Sequence, residues 1–364
     1  MVISSSAVVN VVAPTHRPAV QLFTSYAYRH SRDDDWTLQI KGRVTVSQIQ
    51  SLRRQVVLGL LRQALKVREE ETRTSLFQDR VSDFLRKTVA SQQLVVQLGS
   101  SRHVLPAKSR RSGLFSGEIQ LSARGMQLAV DQAGEGKDWL VYRASPLGSP
   151  EMVSDGHIQL IHPVGLSVIT DIDDTIKETW VDHRKELLRN TFLRPFKAVE
   201  GMQDLYQSWQ QCGTAFHYIS SSPWQLYRPL QEFFGDVGFP EGSFHLRPLR
   251  LRDPAVMSLT GGRKRTKKKS IRALMRTFPF RRFLLVGDSV EKDPEIYGSI
   301  ARKRPGQIAG IFIRTMPGKN VSHARIRRAF RQIPRELWHF FRDPEELVDI
   351  RLAEWSRPVL ANRD

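Results

Sequence analysis

The chain has 364 residues, 40% of them hydrophobic and 26% charged, which is ample for two packed domains and leaves no segment long and apolar enough to span a bilayer. Lys and Arg outnumber Asp and Glu by 56 to 37, a net charge of +19. Such a charge favours nucleic acid, an anionic membrane surface or phosphorylated substrates, although a merely soluble basic surface would also carry it. The lone Cys212 excludes an intrachain disulfide and a cysteine-based metal site, and Tyr218 stands where a Cys-x5-Arg phosphatase would need arginine. Cys212 reads as a small packing residue.

Residues 1–18 read as a disordered tail. Met1 to Pro14 has no charged side chain but includes Ser4, Ser5, Ser6 and Asn10, and it lacks the basic start of a signal peptide. Membrane contact would then be peripheral and the location cytoplasmic.

Residues 19–163 read as a strand-rich domain with a helical insertion. Trp36, Leu38, Ile40, Val44 and Val46 alternate as a half-buried strand does. Ile49, Leu52, Val56, Leu60 and Leu61 recur at helical spacing, and a second helix is expected over about 76–90. Strand-like runs follow at 94–98, 115–121, 139–142 and 158–161.

Residues 164–320 alternate strands and helices, which implies a parallel sheet covered on both faces. Expected strands lie at 166–170, 215–219, 244–246, 283–287 and 308–313. Residues 321–364 read as a basic helical segment, with Ile326, Phe330, Ile333, Leu337 and Phe341 at helical spacing. That helix either docks on the sheet or lies on a membrane, and docking is the commoner fate of an amphipathic helix.

Three expected strands end in chemically loaded residues: Asp171-Ile172-Asp173, Ser220, and Gly287-Asp288-Ser289 with Asp293 close behind. Ligands of open parallel sheets bind at those carboxyl ends. Asp171 and Asp173, two apart on extended backbone, face one pocket, while Asp174 points away toward structure. One carboxylate can attack phosphorus and the other can move the leaving-group and water protons. Asp171, Asp288 and Asp293 supply the hard oxygen ligands that Mg2+ takes. The Ser220 hydroxyl can donate to a phosphoryl oxygen, and a lysine leading into the helix of Ile271 can neutralise charge.

This set resembles the haloacid-dehalogenase superfamily. The strings Thr170 to Lys177, Tyr218 to Trp224, and Gly287 to Ser289 with Lys292 to Tyr297 resemble the actin patch protein 1 type of phosphatidate phosphatase. The resemblance implies a Rossmann-like α/β catalytic domain of haloacid-dehalogenase type with a small cap. It implies Asp171 as nucleophile and metal ligand, and Asp173 as general acid and base whose backbone carbonyl also meets the metal. It further implies Ser220 and Lys267 as phosphate-binding residues, with Lys268 and Lys269 as neighbouring candidates, and Asp288 and Asp293 as metal ligands. Val290-Glu291 departs from the Gly-Gln expected there and adds negative charge near the site.

The expected reaction is magnesium-dependent conversion of phosphatidate to diacylglycerol. Nucleic-acid end phosphates are the alternative substrate for the same chemistry, disfavoured because no aromatic residue interleaves the basic run from Arg247 to Lys269. A catalytically inactive binding protein is the third reading.

Overall fold

The computed structural model describes residues 18–29, 35–49, 51–136, 138–248, 263–319 and 321–348. The expected N-terminal tail therefore lies outside the described residues, save that Pro18 already begins a strand. The first part comprises β1 (Pro18–Leu22), β2 (Ser25–Arg29), β3 (Trp36–Ile49), α1 (Ser51–Leu65), α2 (Ser75–Leu85), β4 (Arg86–Thr88), β5 (Leu94–Leu98) and β6 (Ser101–Val104). It continues with β7 (Leu114–Leu121), α3 (Ala123–Ala133), β8 (Gly134–Glu135), β9 (Trp139–Pro146) and β10 (Ser154–Ile161). These strands form one sheet in the order β1-β3-β2-β10-β9-β5-β6, with β4 and β7 also paired to β3 and β8 to β9.

Alternation puts Leu38, Ile40 and Val44 of β3 into a buried cluster with Leu94, Val96, Leu140 and Ile158. The second expected helix is shorter than its spacing suggested, because Arg86 to Thr88 leave it to pair with β3. Helices α1 and α2 do form the insertion.

The second part comprises β11 (Gly165–Thr170), α4 (Arg184–Phe192), α5 (Met202–Gln211), β12 (Ala215–Pro223), α6 (Tyr227–Val237) and β13 (Ser243–Arg247). Then come α7 (Arg263–Thr277), β14 (Arg281–Asp288), α8 (Asp293–Ala301), β15 (Ile308–Arg314), α9 (His323–Ala329) and β16 (Trp338–Phe341). The sheet order is β13-β12-β11-β14-β15-β16, and every pair is parallel. The order reverses between β11 and β14, which opens a crevice at their carboxyl ends. Both faces are covered, so β14 reads as an unbroken apolar run. Leu284 and Val286 enter the cluster beneath α5 and α6, and Phe283 and Leu285 the one beneath α7 and α8.

The C-terminal segment departs from expectation. Helix α9 stops at Ala329, and Trp338 to Phe341 form a sixth strand parallel to β15. Gln332 takes the left-handed φ of 64°, and Pro334 has no N–H to continue a helix. The apolar residues serve opposite faces of the sheet: Ile326 and Phe330 join one cluster, Phe341 the other. Cys212, expected to pack, is exposed beyond the end of α5.

The two parts share their cores. Phe23, between β1 and β2, stacks on Trp224 with ring centroids 4.0 Å apart, and the Thr24 N–H donates to the Tyr227 hydroxyl at 2.8 Å. Helices α1 and α2 clasp α4 through Leu61, Leu65, Phe77, Leu188 and Phe192. Among the described residues, no helix is long and apolar enough to cross a membrane.

Candidate functional site

Strands β12, β11 and β14 are neighbours, so their carboxyl ends deliver Ser220, Asp171 and Asp288 to one crevice. Asp171 continues the ladder of β11, its N–H donating to Val286 O at 2.9 Å, before the chain turns. All six residues singled out from sequence (Asp171, Asp173, Ser220, Lys267, Asp288 and Asp293) are buried.

Lys267 reaches in from α7. Its Nζ lies 2.8 Å from Asp171 Oδ1 and 4.0 Å from Glu291, and it pairs with Asp293. Its neighbours go elsewhere: Lys268 donates to Ser299 Oγ at 2.5 Å, and Lys269 is exposed. Burial works against the Lys267 charge, but Asp171 and Asp293 hold its ammonium well above the usual lysine range. Burial pushes Asp171 well up. Lys267 pulls against this, and Asp293, Glu291 and Asp288 reinforce it.

Asp173 sits in the opposite condition. Lys177 Nζ is 2.9 Å from Oδ1, and Ser220 and Ser222 donate to Oδ2 at 2.8 and 2.9 Å. Burial raises the Asp173 pKa, yet Lys177 and the two serines outweigh it and hold the carboxyl below the usual range. Asp174 turns away, as expected. At φ 59° it caps the following turn, accepting from the N–H groups of Thr179, Trp180 and Val181 at 2.7 to 2.8 Å.

One oxygen each from Asp171, Asp288 and Glu291 lie within 4.8 Å of one another. Asp288 Oδ1 accepts from the N–H groups of Val290 and Glu291, both at 2.6 Å, whereas Oδ2 is buried with no hydrogen-bond partner. Three buried carboxylates around an unsatisfied oxygen fit a hard divalent cation. Asp293 stands outside this trio. Its Oδ2 meets the Asp288 N–H at 3.3 Å and the Tyr297 hydroxyl at 3.4 Å, while Oδ1 pairs with Lys267. Glu291, noted from the sequence only for the charge it adds, belongs to this trio.

Residues 166–315 match the family model described as the catalytic domain of phosphatidate phosphatase APP1. They form an APP1-type catalytic domain. The chain is 33% identical over 159 residues to phosphatidate phosphatase APP1 of Saccharomyces cerevisiae, covering 42% of this chain and 26% of that protein. It is 34% identical over 154 residues to an uncharacterized protein of Schizosaccharomyces pombe, covering 41% and 25%. The chain therefore spans about a quarter of the length of these curated relatives.

Within the APP1-type domain, sequence reasoning passed over Lys177, Thr179 and Ser222, which all bind Asp173 or its partners. Lys177 and Ser222 lie inside strings that were already conspicuous, but nothing local says that they converge on Asp173. Two histidines stay outside the site. His217 is buried at Ser243 Oγ, 2.7 Å away, and exposed His183 lies 3.1 Å from Lys319.

Proposed function

We propose that this chain is a magnesium-dependent phosphatidate phosphatase that forms an aspartyl phosphate on Asp171 in a haloacid-dehalogenase-type domain. The observation that carries the reading is the buried pairing of Asp171 with Lys267, beside an Asp173 braced by Lys177, Ser220 and Ser222. One carboxylate is aimed for attack and the other is held for proton transfer. Asp171, Asp288 and Glu291 would hold the cation, together with the Asp173 backbone carbonyl; bound there, it would neutralise phosphoryl oxygens. Asp293 fixes Lys267.

In the first step an Asp171 oxygen bonds to phosphorus as the bond from phosphorus to the glycerol oxygen breaks. The leaving oxygen takes a proton from Asp173. Water then attacks phosphorus, Asp173 receives its proton, and inorganic phosphate leaves with Asp171 restored. Resting Asp173 is ionised, so it takes up a proton from solvent as substrate binds, gives that proton to the leaving oxygen, and returns the proton it later receives from water to solvent. An incoming phosphate adds negative charge and draws the Ser220 hydroxyl toward itself, and both effects raise the proton affinity of Asp173 for the first step. Lys267 balances charge on the transferring group.

The lipid substrate is supported by similarity to the yeast phosphatidate phosphatase and by the +19 charge, which suits an anionic surface. Helix α4, the one helix between the Asp171 loop and α5, is the proposed small cap; α1 and α2 clasp it. We place the enzyme in the cytoplasm, peripheral on membranes. The test is phosphate release from phosphatidate in mixed micelles, with and without magnesium, beside a 5′-phosphorylated oligonucleotide. Asp171→Asn should lose about 10³-fold or more in kcat. Retained activity in that variant would remove the nucleophile, and preference for the oligonucleotide would remove the lipid.

A further inference from the structure

Beside edge strand β16 runs a groove of about 750 Å³ that this chemistry leaves unused. Val321, Ile326, Trp338 and Phe340 make its apolar floor, with Trp338 and Phe340 only half-buried. Its rim carries Lys319, Arg327, Arg335 and Arg342, and among the described residues no carboxylate lines it. The Arg335 guanidinium lies over the Trp338 ring, 4.1 Å from its centroid.

The groove has a direction. Strand β16 runs parallel to β15 with Phe341 opposite Arg314, so Thr315, Lys319 and Arg342 stand at the carboxyl end of the sheet, beside the crevice. Trp338, opposite Ile311, and Arg335 lie toward the other end. Arg314, just before the groove, donates to Asp174 O at 2.9 Å and accepts from Ser289 N at 2.9 Å. Lys319 pairs with Asp182 at 2.5 Å, on the segment that follows the Asp171 loop. One end of the groove therefore lies at the carboxyl edge of the sheet, the edge at which the crevice opens.

We propose that this groove seats one acyl chain of an anionic bilayer phospholipid, its headgroup held by the arginine rim, so that the crevice is pressed against the membrane. Hydrocarbon suits the floor, and the arginines of the rim, Arg327, Arg335 and Arg342, select an anion; an anionic lipid has both in one molecule. Nucleic acid would satisfy the rim but leave the exposed faces of Trp338 and Phe340 to water or to a single stacked base. The role in turnover rests on the lipid-phosphatase reading, but the binding does not.

The test is cosedimentation with phosphatidylcholine vesicles, with and without phosphatidylglycerol, which has no phosphomonoester to hydrolyse. The protein should sediment with the mixed vesicles and far less with phosphatidylcholine alone. Arg327→Glu with Arg342→Glu should weaken binding about tenfold or more, with an unchanged thermal midpoint. Val321→Asp, which leaves the rim intact, should weaken it too. Asp171→Asn should bind as the wild type does, so a failed catalytic reading and a failed groove are read separately. Wild-type binding in the double arginine variant overturns the proposal, as does equal binding to both vesicles. Absence of binding to either vesicle also overturns it, and leaves the groove to a protein partner or another segment of this chain.

Discussion

Asp171, Asp173 and Asp174 are near neighbours in sequence with three different surroundings. Asp171 faces Lys267, Asp173 faces Lys177 and two serines, and Asp174 faces three backbone N–H groups. Removing the last carboxylate leaves buried donors unpaired. Asp174→Ala should cost about 3 kcal/mol in chemical denaturation. Asp174→Asn should recover part of this, because it keeps one acceptor and tolerates the left-handed turn. At the cation-facing trio, Glu291→Gln should lower magnesium affinity about tenfold in calorimetric titration without substrate. Glu295→Gln, whose carboxylate is bound by Arg325 instead, should leave that affinity unchanged.

Strand β14 and helix α8 meet where they set the site. A Cβ on Gly287 would overlap the Asp293 carboxylate, so glycine there lets the head of α8 close on the strand end. That closure directs Asp293 to Lys267, and Lys267 to Asp171. Gly287→Ala should therefore lower kcat about 10²-fold by misplacing Lys267. It should also cost about 1–3 kcal/mol from overpacking, read as a shifted denaturation midpoint. Comparison with Lys267→Met would show how much of the kinetic loss is the lysine's.

Across the whole molecule, the two sheets meet around Tyr26, His217, His245 and Phe278. Burial, with Arg281 and Lys41 nearby, lowers the His217 pKa to about 3, and burial takes His245 well below its usual value. Both are neutral when folded, and the unfolded chain binds more protons below about pH 6.5. The contribution of neutral His217 is thus full above that pH and falls as the pH drops toward 3, by about 1.4 kcal/mol per unit, and His245 acts in the same direction. Urea midpoints measured across that range should fall accordingly, and His245→Gln should flatten the slope. Arg281 ties the parts together at the same seam, its guanidinium donating to His162 O, Val164 O and Ser167 Oγ at 2.7 to 2.8 Å.

What the sequence determined by itself is what depends on neighbours along the chain. The alternation in β3, the unbroken apolar strands, and the division of Asp171 and Asp173 from Asp174 all follow from local backbone period and strand ends. What only the tertiary structure decided depends on distant segments meeting. Lys267 was one of three adjacent lysines until the packing of α7 buried it against Asp171. Glu291 and Asp293 were both acidic residues near a strand end, and the approach of α8 to Gly287 sent one toward Lys267 and left the other beside Asp288. The residues from Ile326 to Phe341 have the spacing of one helix, but such spacing records only that side chains are buried. Whether one helix stripe or two faces of a sheet buries them is settled by the vacant edge of β15, which no local pattern encodes.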